Sequence, residues 1–440
     1  MIDLPGVQRE TIKPRREMGV PGFSVVSGMI ASKERNPRLV GEQKYITASD
    51  ILANVSIVAA GVRYFLNLVA SPEWKVEPVD DSAEARQAAE FVESCLYDME
   101  SSWSRVVRRA GMYRFYGFNV QEWTAKRRDD GRIGFKSLET RPQFTIEHWD
   151  VNPEDGQVRG FVQQSPHDYS THYIPRGKAV YLVDDTLTDS PDGFGWLRHL
   201  AEPADRFMEY QRIEGVGFER DFRGIPVGRA PRAEIAAAVE AGQITQADAN
   251  NILGGLSQFI TMRNKASNTG LLLDSSTYQN FSDTGQAASS VPKWGIELLT
   301  GSATGIEHVG AAISRLEYGM AAILGTEGLL IGSEGGSRAL SEDKSKNLYL
   351  NVNSTVNDMA ETFEKDFINP LWTLNGFDDR LKPSMRAEDV SFRTVDDVTR
   401  ALKDLATAGA VLQPDDESID AIRGMLGLPN QPEGVMNDGY

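Results

Sequence analysis

Apolar residues recur alternately three and four apart at Ile306, Val309, Ile313, Leu316, Met320 and Ile323, the seam spacing of a helix packed lengthwise on another. The spacing predicts a long helix over 304–325. A second long helix is expected to begin at Ser341, an N-cap residue, with Glu342 and Asp343 where the positive helix end favours carboxylates. Leu348, Val352, Val356, Met359, Phe363, Phe367 and Leu371 continue it to a stop at 369–376, where Pro370 and the Asn375-Gly376 pair break the pattern. Between the two lies a glycine- and serine-rich connection, Gly325–Lys346. It is either the surface loop of a helical hairpin or a flexible contact element carried by two rigid rods.

Upstream, Ile51, Val55, Val58, Val62, Leu66 and Val69 predict a helix ending at Ser71-Pro72, with Thr47, Ser49 or Asp50 as its cap. Residues 73–78 alternate like a strand, and helices follow over Ala83–Met99 and Ser102–Phe115. From Gly117 the period changes to two. Phe118–Thr124 and Ile133–Phe135, joined at Asp129-Asp130-Gly131-Arg132, predict a β-hairpin. Further strands are expected at Phe144–Trp149, Val158–Gln164 and Ala179–Val183. The first half is therefore expected to be α+β, with helices leading into a small antiparallel sheet.

A long helix over Trp196–Arg220 follows Gly193-Phe194-Gly195, with Leu197, Leu200, Ala204, Phe207 and Ile213 on one side. An α/β insert comes next: short helices at Arg232–Ala241 and Thr245–Gly254, strands at Gln258–Met262 and Gly270–Leu273, and a serine-rich stretch over 275–292. Two short helices, Val395–Gly409 and Asp415–Gly427, precede a proline- and glycine-rich end. Residues 1–44 read as an extended arm.

Composition narrows the function classes. The 440 residues are 40% hydrophobic and carry 46 basic against 63 acidic side chains, net −17, so the basic footprint of a sequence-specific nucleic-acid binder is missing. Cys95 is the single cysteine, which excludes an internal disulfide or thiolate metal cluster. The first residues lack the apolar core of a signal peptide, and the most hydrophobic stretch is interrupted by Asn54, Ser56, Arg63 and Asn67. A soluble chain made in a reducing compartment is expected.

Catalytic spacing is missing too. No metal-protease, nucleophile-elbow, phosphate-loop or dinucleotide motif occurs, and none of the five histidines pairs at a helical i, i+4 offset. His167 and His172 in a polar segment read as solvated loop residues before metal ligands. The acidic doublets Asp80-Asp81, Asp129-Asp130, Asp184-Asp185, Asp378-Asp379 and Asp415-Asp416 read mostly as solvated turns. Gly335-Gly336-Ser337-Arg338 has the form of a phosphate-cradling nest, without the strand that feeds a nucleotide loop. No catalytic residue, metal or cofactor is assigned.

The order of parts carries a resemblance. Phe115–Trp123 (FYGFNVQEW), Gly217–Arg220 with Gly224-Ile225-Pro226, Leu324-Gly325 through Ser337–Leu340, Phe367–Leu371, Ala408–Val411 and Gly427–Pro429 stand in an order that resembles the portal proteins of tailed bacteriophages, the Mu-type branch in particular. The resemblance spans about residues 45–430. It implies a mainly helical α+β portal fold and a ring, expected to be a dodecamer, at one capsid vertex of the virion, assembled in the host cytoplasm. Double-stranded DNA would pass through its channel during packaging and ejection. The terminase large subunit would dock on it, then head-completion or tail adaptor proteins, with major capsid and scaffolding proteins as further partners and no membrane.

Carried over by position, the resemblance implies an N-terminal arm at 1–44, a wing at 45–195 and again at 341–394, and stem helices at 196–221 and 303–324. It implies a clip at 222–302, a tunnel loop at 325–340 and a crown with tail at 395–440. Gly332, Ser333, Gly335, Gly336, Ser337 and Arg338 would line the DNA channel. Ile306, Val309, Ile313, Leu316, Met320 and Ile323 would pack the stem. Lys344 and Lys346, with Arg338, are candidates for weak DNA-backbone contacts, and a solvated position suits each equally. The short C-terminus argues against a long helical barrel above the crown. A net negative wall fits a conduit, because duplex DNA presents a phosphate charge every ~1.7 Å of axis and a basic bore would grip it. Two other readings stay open: a ring-forming capsid adaptor that conducts no DNA, and a nucleotide-dependent enzyme using the Gly335-Gly336 nest.

Overall fold

The computed structural model describes residues 22–31, 34–153, 155–223, 225–262, 273–282, 285–299, 303–330 and 338–390. In chain order the elements are β1 (Val25–Val26), β2 (Met29–Ile30), α1 (Glu42–Asn54), α2 (Ser56–Val69), β3 (Trp74–Glu77), α3 (Ala83–Tyr97), α4 (Trp103–Ala110) and α5 (Tyr113–Tyr116). Then come β4 (Phe118–Arg127), β5 (Ile133–Arg141), β6 (Ile146–Val151), β7 (Val158–Gln164), β8 (Thr171–Pro175), β9 (Ala179–Val183) and α6 (Leu197–Arg223). The remainder is β10 (Ile225–Arg229), α7 (Arg232–Glu240), α8 (Gln246–Met262), β11 (Thr277–Ser282), β12 (Gly285–Pro292), β13 (Gly295–Leu299), α9 (Ala303–Ile323), α10 (Arg338–Phe363), α11 (Asn369–Asn375) and β14 (Ser384–Ala387). The chain is mixed helix and antiparallel sheet, as an α+β reading expects. It divides into two compact units, one of 54–58 and 199–323, the other holding the rest.

In the larger unit β4 is the middle strand of β5-β4-β9, paired Glu122↔Glu139 on one side and Phe118↔Val183 on the other. Its alternation divides two cores. Phe118 and Val120 join Tyr45, Ile146, Trp149, Phe161, Ile174 and Ala179, which ties β4 and β9 to the second sheet, β6-β7-β8. Gln121 and Trp123 serve the opposite face. Gln121 Nε2 donates to the Val106 carbonyl of α4 at 3.0 Å, and Trp123 stacks on Phe135, which stacks on Phe367 beyond α10 at ring distances of 4.9 and 4.5 Å. Trp103 and Trp74 complete this aromatic layer against Phe363. Such tilted and edge-on pairs add to simple area burial.

Where β4 begins, the backbone of Gly117 crosses that of Gly193 and Gly195. All three have positive φ (+105°, +58° and +75°), and a Cβ on Gly117 would stand 2.4 Å from the Asp192 carbonyl oxygen, one on Gly193 2.0 Å from the Gly117 carbonyl oxygen. Only glycine fits such an approach. Asp184 closes the crossing. Its N–H donates to the Gly117 carbonyl at 2.7 Å, its carbonyl accepts from Phe194 at 3.0 Å, and its carboxylate accepts from Gly195 N–H at 3.2 Å and from Arg114 Nη1 at 3.1 Å. Asp184 is thus buried and paired, where its doublet reads in sequence as a solvated turn.

Arg114 carries the tie onward, donating to Thr355 Oγ1 at 3.1 Å and Asp358 at 2.5 Å on α10. Eight residues further, a π-helical turn over Glu364–Ile368 rotates Asp366 to meet Arg176 at 2.7 Å and the Tyr181 N–H at 3.1 Å. Burial pushes the Asp366 carboxyl up, Arg176 working against that. The turn also lets Pro370 fall in the first turn of α11, where its missing N–H costs nothing. The helical run therefore extends past Pro370 to Gly376, a left-handed cap at φ +64°. Asn375 pins that end to β5, exchanging hydrogen bonds with the Ile133 N–H and carbonyl at 2.7 and 2.8 Å.

Other departures have local causes. The expected single helix 51–70 is two helices bent by 99° at Val55, and the first already starts at Glu42. Asn54 and Ser56, both capping residue types, flank the break. The expected helix 102–115 divides at Gly111, where α2 packs so close that an added Cβ would lie 2.9 Å from Leu66. Strand β14, in a stretch too short to show its alternation, pairs with β3.

In the smaller unit residues 258–262 are the last turns of α8 and not a strand; the apolar run there is too short for periodicity to decide. The serine-rich stretch forms the β11–β12 hairpin, and β10 pairs with β13 from Ile225↔Leu299 to Arg229↔Gly295. Residues 270–272 lie outside the described residues, as do 1–21 and 391–440.

The crossing sets a test. Gly117→Ala is expected to cost about 3 kcal/mol or more in unfolding free energy, since strain and collision combine. Gly131→Ala, at φ +79° but with open space around it, should cost only about 1 kcal/mol. Equal losses in denaturant melts would contradict the close approach.

Candidate functional site

The candidate site is the α9–α10 connection with the helices that carry it. Gly332, Ser333, Gly335, Gly336 and Ser337 lie outside the described residues. Arg338 opens α10, three residues before the expected Ser341 cap, and Lys344 lies within the same helix. Lys346 is exposed on it.

The α9 seam is only partly the one its spacing predicts. Ile306 lies in the first turn, Val309 and Leu316 are half-buried, and Ile313 and Met320 are buried. Ile323 is 37% exposed, whereas Ala321 and Leu324 are at 0% and 1%. A straight helix of 3.6 residues per turn drifts by about 20° per heptad against a 3.5-residue repeat. Over two and a half heptads that drift carries position 323 off the buried side and brings 324 onto it.

The root of the connection is fixed within the larger unit. Gly325, at φ +68°, ends α9, Thr326 is buried, and Glu327–Leu330 make a 3-10 turn. Gly61 of α2 lies beneath this root: a Cβ there would meet Leu324 Cδ1 and Thr326 Oγ1, each at 2.8 Å. The Cβ position of Gly325 is 3.8 Å from Leu348 Cδ1 and Asn351 Nδ2 of α10. The connection therefore leaves a root held against the helix to which it returns. Gly61, Leu324 and Thr326 are the residues that sequence reasoning missed; a glycine inside an otherwise apolar helix was the available signal.

The two helices of the smaller unit leave apolar side chains uncovered. Along α6 burial ends at Phe207, and no side chain from Met208 to Phe218 is buried. Ile213, Val216 and Phe218 are exposed there, as are Tyr318 and Ile323 on α9. The α6 charges largely satisfy one another, Glu202 with Arg206 at 2.5 Å and Glu209 with Arg212 at 2.7 Å. Hydrogen bonding from Arg212 holds the Glu209 carboxyl below its usual range. Pro203 removes one helix N–H within α6. Large apolar residues open to water on adjacent turns mark surfaces that associate.

Elsewhere the chemistry is sparse. Among the described residues no three His, Cys, Asp or Glu side chains assemble as a metal site. His172 shares a hydrogen bond with Ser170 at 3.0 Å on an exposed turn. Burial pushes the Cys95 thiol up, with Arg128 Nη1 at 3.3 Å. Among the described residues no single helix is long and apolar enough to cross a membrane.

Known proteins place this geometry. A family model described as the portal protein of Mu bacteriophage matches residues 48–204. No curated protein matches the chain in sequence. Among solved structures, a chain in the neck of an empty gene transfer agent (GTA) particle, computed with C6 symmetry, matches at TM-score 0.54 and 13% identity, over 92% of this chain and 97% of that one. A chain in the neck of the native GTA particle, computed with C12 symmetry, matches at 0.53 and 13%, over 90% and 95%. One in the virion of the native GTA particle matches at 0.51 and 12%, over 88% and 94%. The resemblance to phage portal proteins thus holds in sequence over 48–204 and in fold along most of the chain.

The drift of the α9 seam is open to measurement. Leu324→Ala is expected to destabilise the chain by about 3 kcal/mol, and Ile323→Ala by less than about 1 kcal/mol. The reverse order in denaturant unfolding would restore the plain 3-4 seam.

Proposed function

We propose that this chain is the portal subunit of a tailed phage or phage-like particle: twelve copies form a ring at one capsid vertex and conduct double-stranded DNA during packaging and ejection. The observation that carries the reading is the pair of helices α6 and α9, whose apolar residues Ile213, Val216, Phe218, Tyr318 and Ile323 stay open to water in the single chain. Copies standing side by side would cover them. Likeness to chains from particle necks computed with C12 and C6 symmetry supports a closed ring.

In this reading residues 196–221 and 303–324 are the stem and 222–302 the clip. The wing is 45–195 with 341–394, the crown 395–440. The connection 325–340 is the tunnel loop, where Gly332, Ser333, Gly335, Gly336, Ser337 and Arg338 face DNA, with Lys344 and Lys346 nearby. Glycines and serines there offer backbone and hydroxyl contacts without strong phosphate binding, and the net charge of −17 keeps a polyanion from lodging in the bore. The clip would receive the terminase large subunit during packaging and head-completion or tail adaptors afterwards. The protein acts as a conduit and docking ring and not as an enzyme.

End-on electron microscopy and native mass spectrometry of the purified chain are expected to give a ring, dodecameric in mass, with a bore wide enough for a duplex. Phe218→Asp should shift it to smaller species by burying an unpaired charge between copies. A chain that stays solitary at every concentration would refute the reading. Deleting 332–336 is expected to spare the ring and lower the yield of packaged DNA. Undiminished packaging in that variant would remove the loop's tunnel role while leaving the ring intact.

A further inference from the structure

The larger unit contains a cleft of about 1150 Å³ that the portal reading does not use. One wall is the β1–β2 hairpin with its flanks, Gly22–Ala31; the others are Phe144–Glu147, the Pro166–Tyr169 turn and the Thr188–Phe194 loop. Met29, Val40, Phe144 and Tyr169 line it while remaining exposed, Tyr169 at 74%. This apolar wall adjoins a floor whose charges are already matched. Lys44 donates to the Gly193 carbonyl at 2.8 Å and lies 3.3 Å from Asp192, and Arg198 is paired with Glu34. On the rim, Glu42 and Glu147 stand with Arg35.

The chain enters the described structure inside this cleft. Gly22 lines it, and a Cβ on Gly22 would stand 2.6 Å from Asp189 Oδ2, so that residue bridges the hairpin wall and the 188–194 loop. The hairpin itself is held on the second sheet. Trp149 N–H donates to the Gly28 carbonyl at 2.7 Å, and Gly28, at φ +82°, leaves no room for a side chain beside His148. Whatever precedes Gly22 therefore starts from a fixed point between two walls. The residues that precede it are Arg15, Arg16, Glu17, Met18, Gly19, Val20 and Pro21.

We infer that the cleft is the seat of Arg15–Val20 of the same chain. In an extended segment Met18 and Val20 fall on one face, which sets both on the wall of Met29, Phe144 and Tyr169. At about 3.3 Å per residue, Arg15 and Arg16 reach some 20–23 Å from Gly22, within range of the rim carboxylates Glu42 and Glu147. The tether keeps the segment at an effective concentration in the millimolar range, so modest apolar and ionic contacts suffice. Exposed aromatic and aliphatic surface of this kind is costly in water, and the segment covers it without a second protein. The inference is independent of the ring and of DNA conduction.

Full-length protein carrying p-benzoylphenylalanine in place of Phe144, and separately in place of Tyr169, tests it. Photolysis of a mixture of ¹⁴N- and ¹⁵N-labelled chains followed by mass spectrometry is expected to give adducts to residues 15–20 of the same isotope. Mixed-isotope adducts would assign the cleft to a second copy, and adducts elsewhere or none at 15–20 would assign it to neither; each overturns the inference. In the otherwise unaltered chain, Met18→Asp with Val20→Asp should raise deuterium uptake over 144–149 and 188–194 about tenfold, with uptake at β5 unchanged as a check on folding. Unchanged uptake over 144–149 and 188–194 would also overturn it.

Discussion

The larger unit depends on one backbone crossing. Gly117 on one strand entry and Gly193 and Gly195 on the approach to α6 come closer than any side chain permits, and Asp184 satisfies the donors this leaves facing inward. Because Asp184 is buried, its charge needs a partner, and Arg114 is that partner. Arg114 in turn has further donors in a rigid fork, and they reach Thr355 and Asp358 on α10. Strand order, the start of α6 and the position of α10 are thus set by one connected group of polar atoms around three glycines.

This arrangement explains how a glycine- and serine-rich connection can be both mobile in composition and fixed in place. Its root is clamped between Gly61 and Leu348, and the helix to which it returns is held at Asp358, at Asp366 and again at Asn375. The π-turn at 364–368 is what allows all three. An uninterrupted α-helix advances 100° per residue, and without the extra residue in the turn the contacts of Asp358 and Asp366 would drift around the helix. Helices with such inserted turns often sit where geometry is under functional constraint.

The sequence made the period of each element legible, and little of what connects them. The hairpin of β4 and β5, strands β7 and β9 and helices α3, α6, α9 and α10 follow from apolar spacing with its bounding turns. What stayed hidden depends on tertiary approach. Asp184 looks like any acidic turn residue until Arg114, seventy positions away, is seen beside it. The end of α8 reads as a strand because five residues cannot distinguish the two periods. At the candidate site the face of α9 was legible but its far end was not, since a repeat of three and four overstates how long one stripe stays on one side. The order of parts was more informative than any motif, and it is order that the family match over 48–204 and the fold likeness along the rest both reflect.

The distribution of exposed apolar residues carries the functional argument further than the charge does. An acidic surface is compatible with many soluble proteins, and net charge speaks to solubility and partners, not to fold. The break in α6 is more specific. Up to Phe207 its apolar residues are buried as in any globular helix; beyond it the helix continues with Ile213, Val216 and Phe218 in water, and its charges pair along the helix instead of outward. A helix built for solvent would place those charges over the apolar positions. One built to meet the same helix in another copy would clear charge from that face, because an unpaired charge buried at a contact costs several kcal/mol. Ile213, Val216 and Phe218 therefore argue for lateral association of copies, and closed symmetry is the arrangement in which a head-to-tail contact leaves none of them exposed.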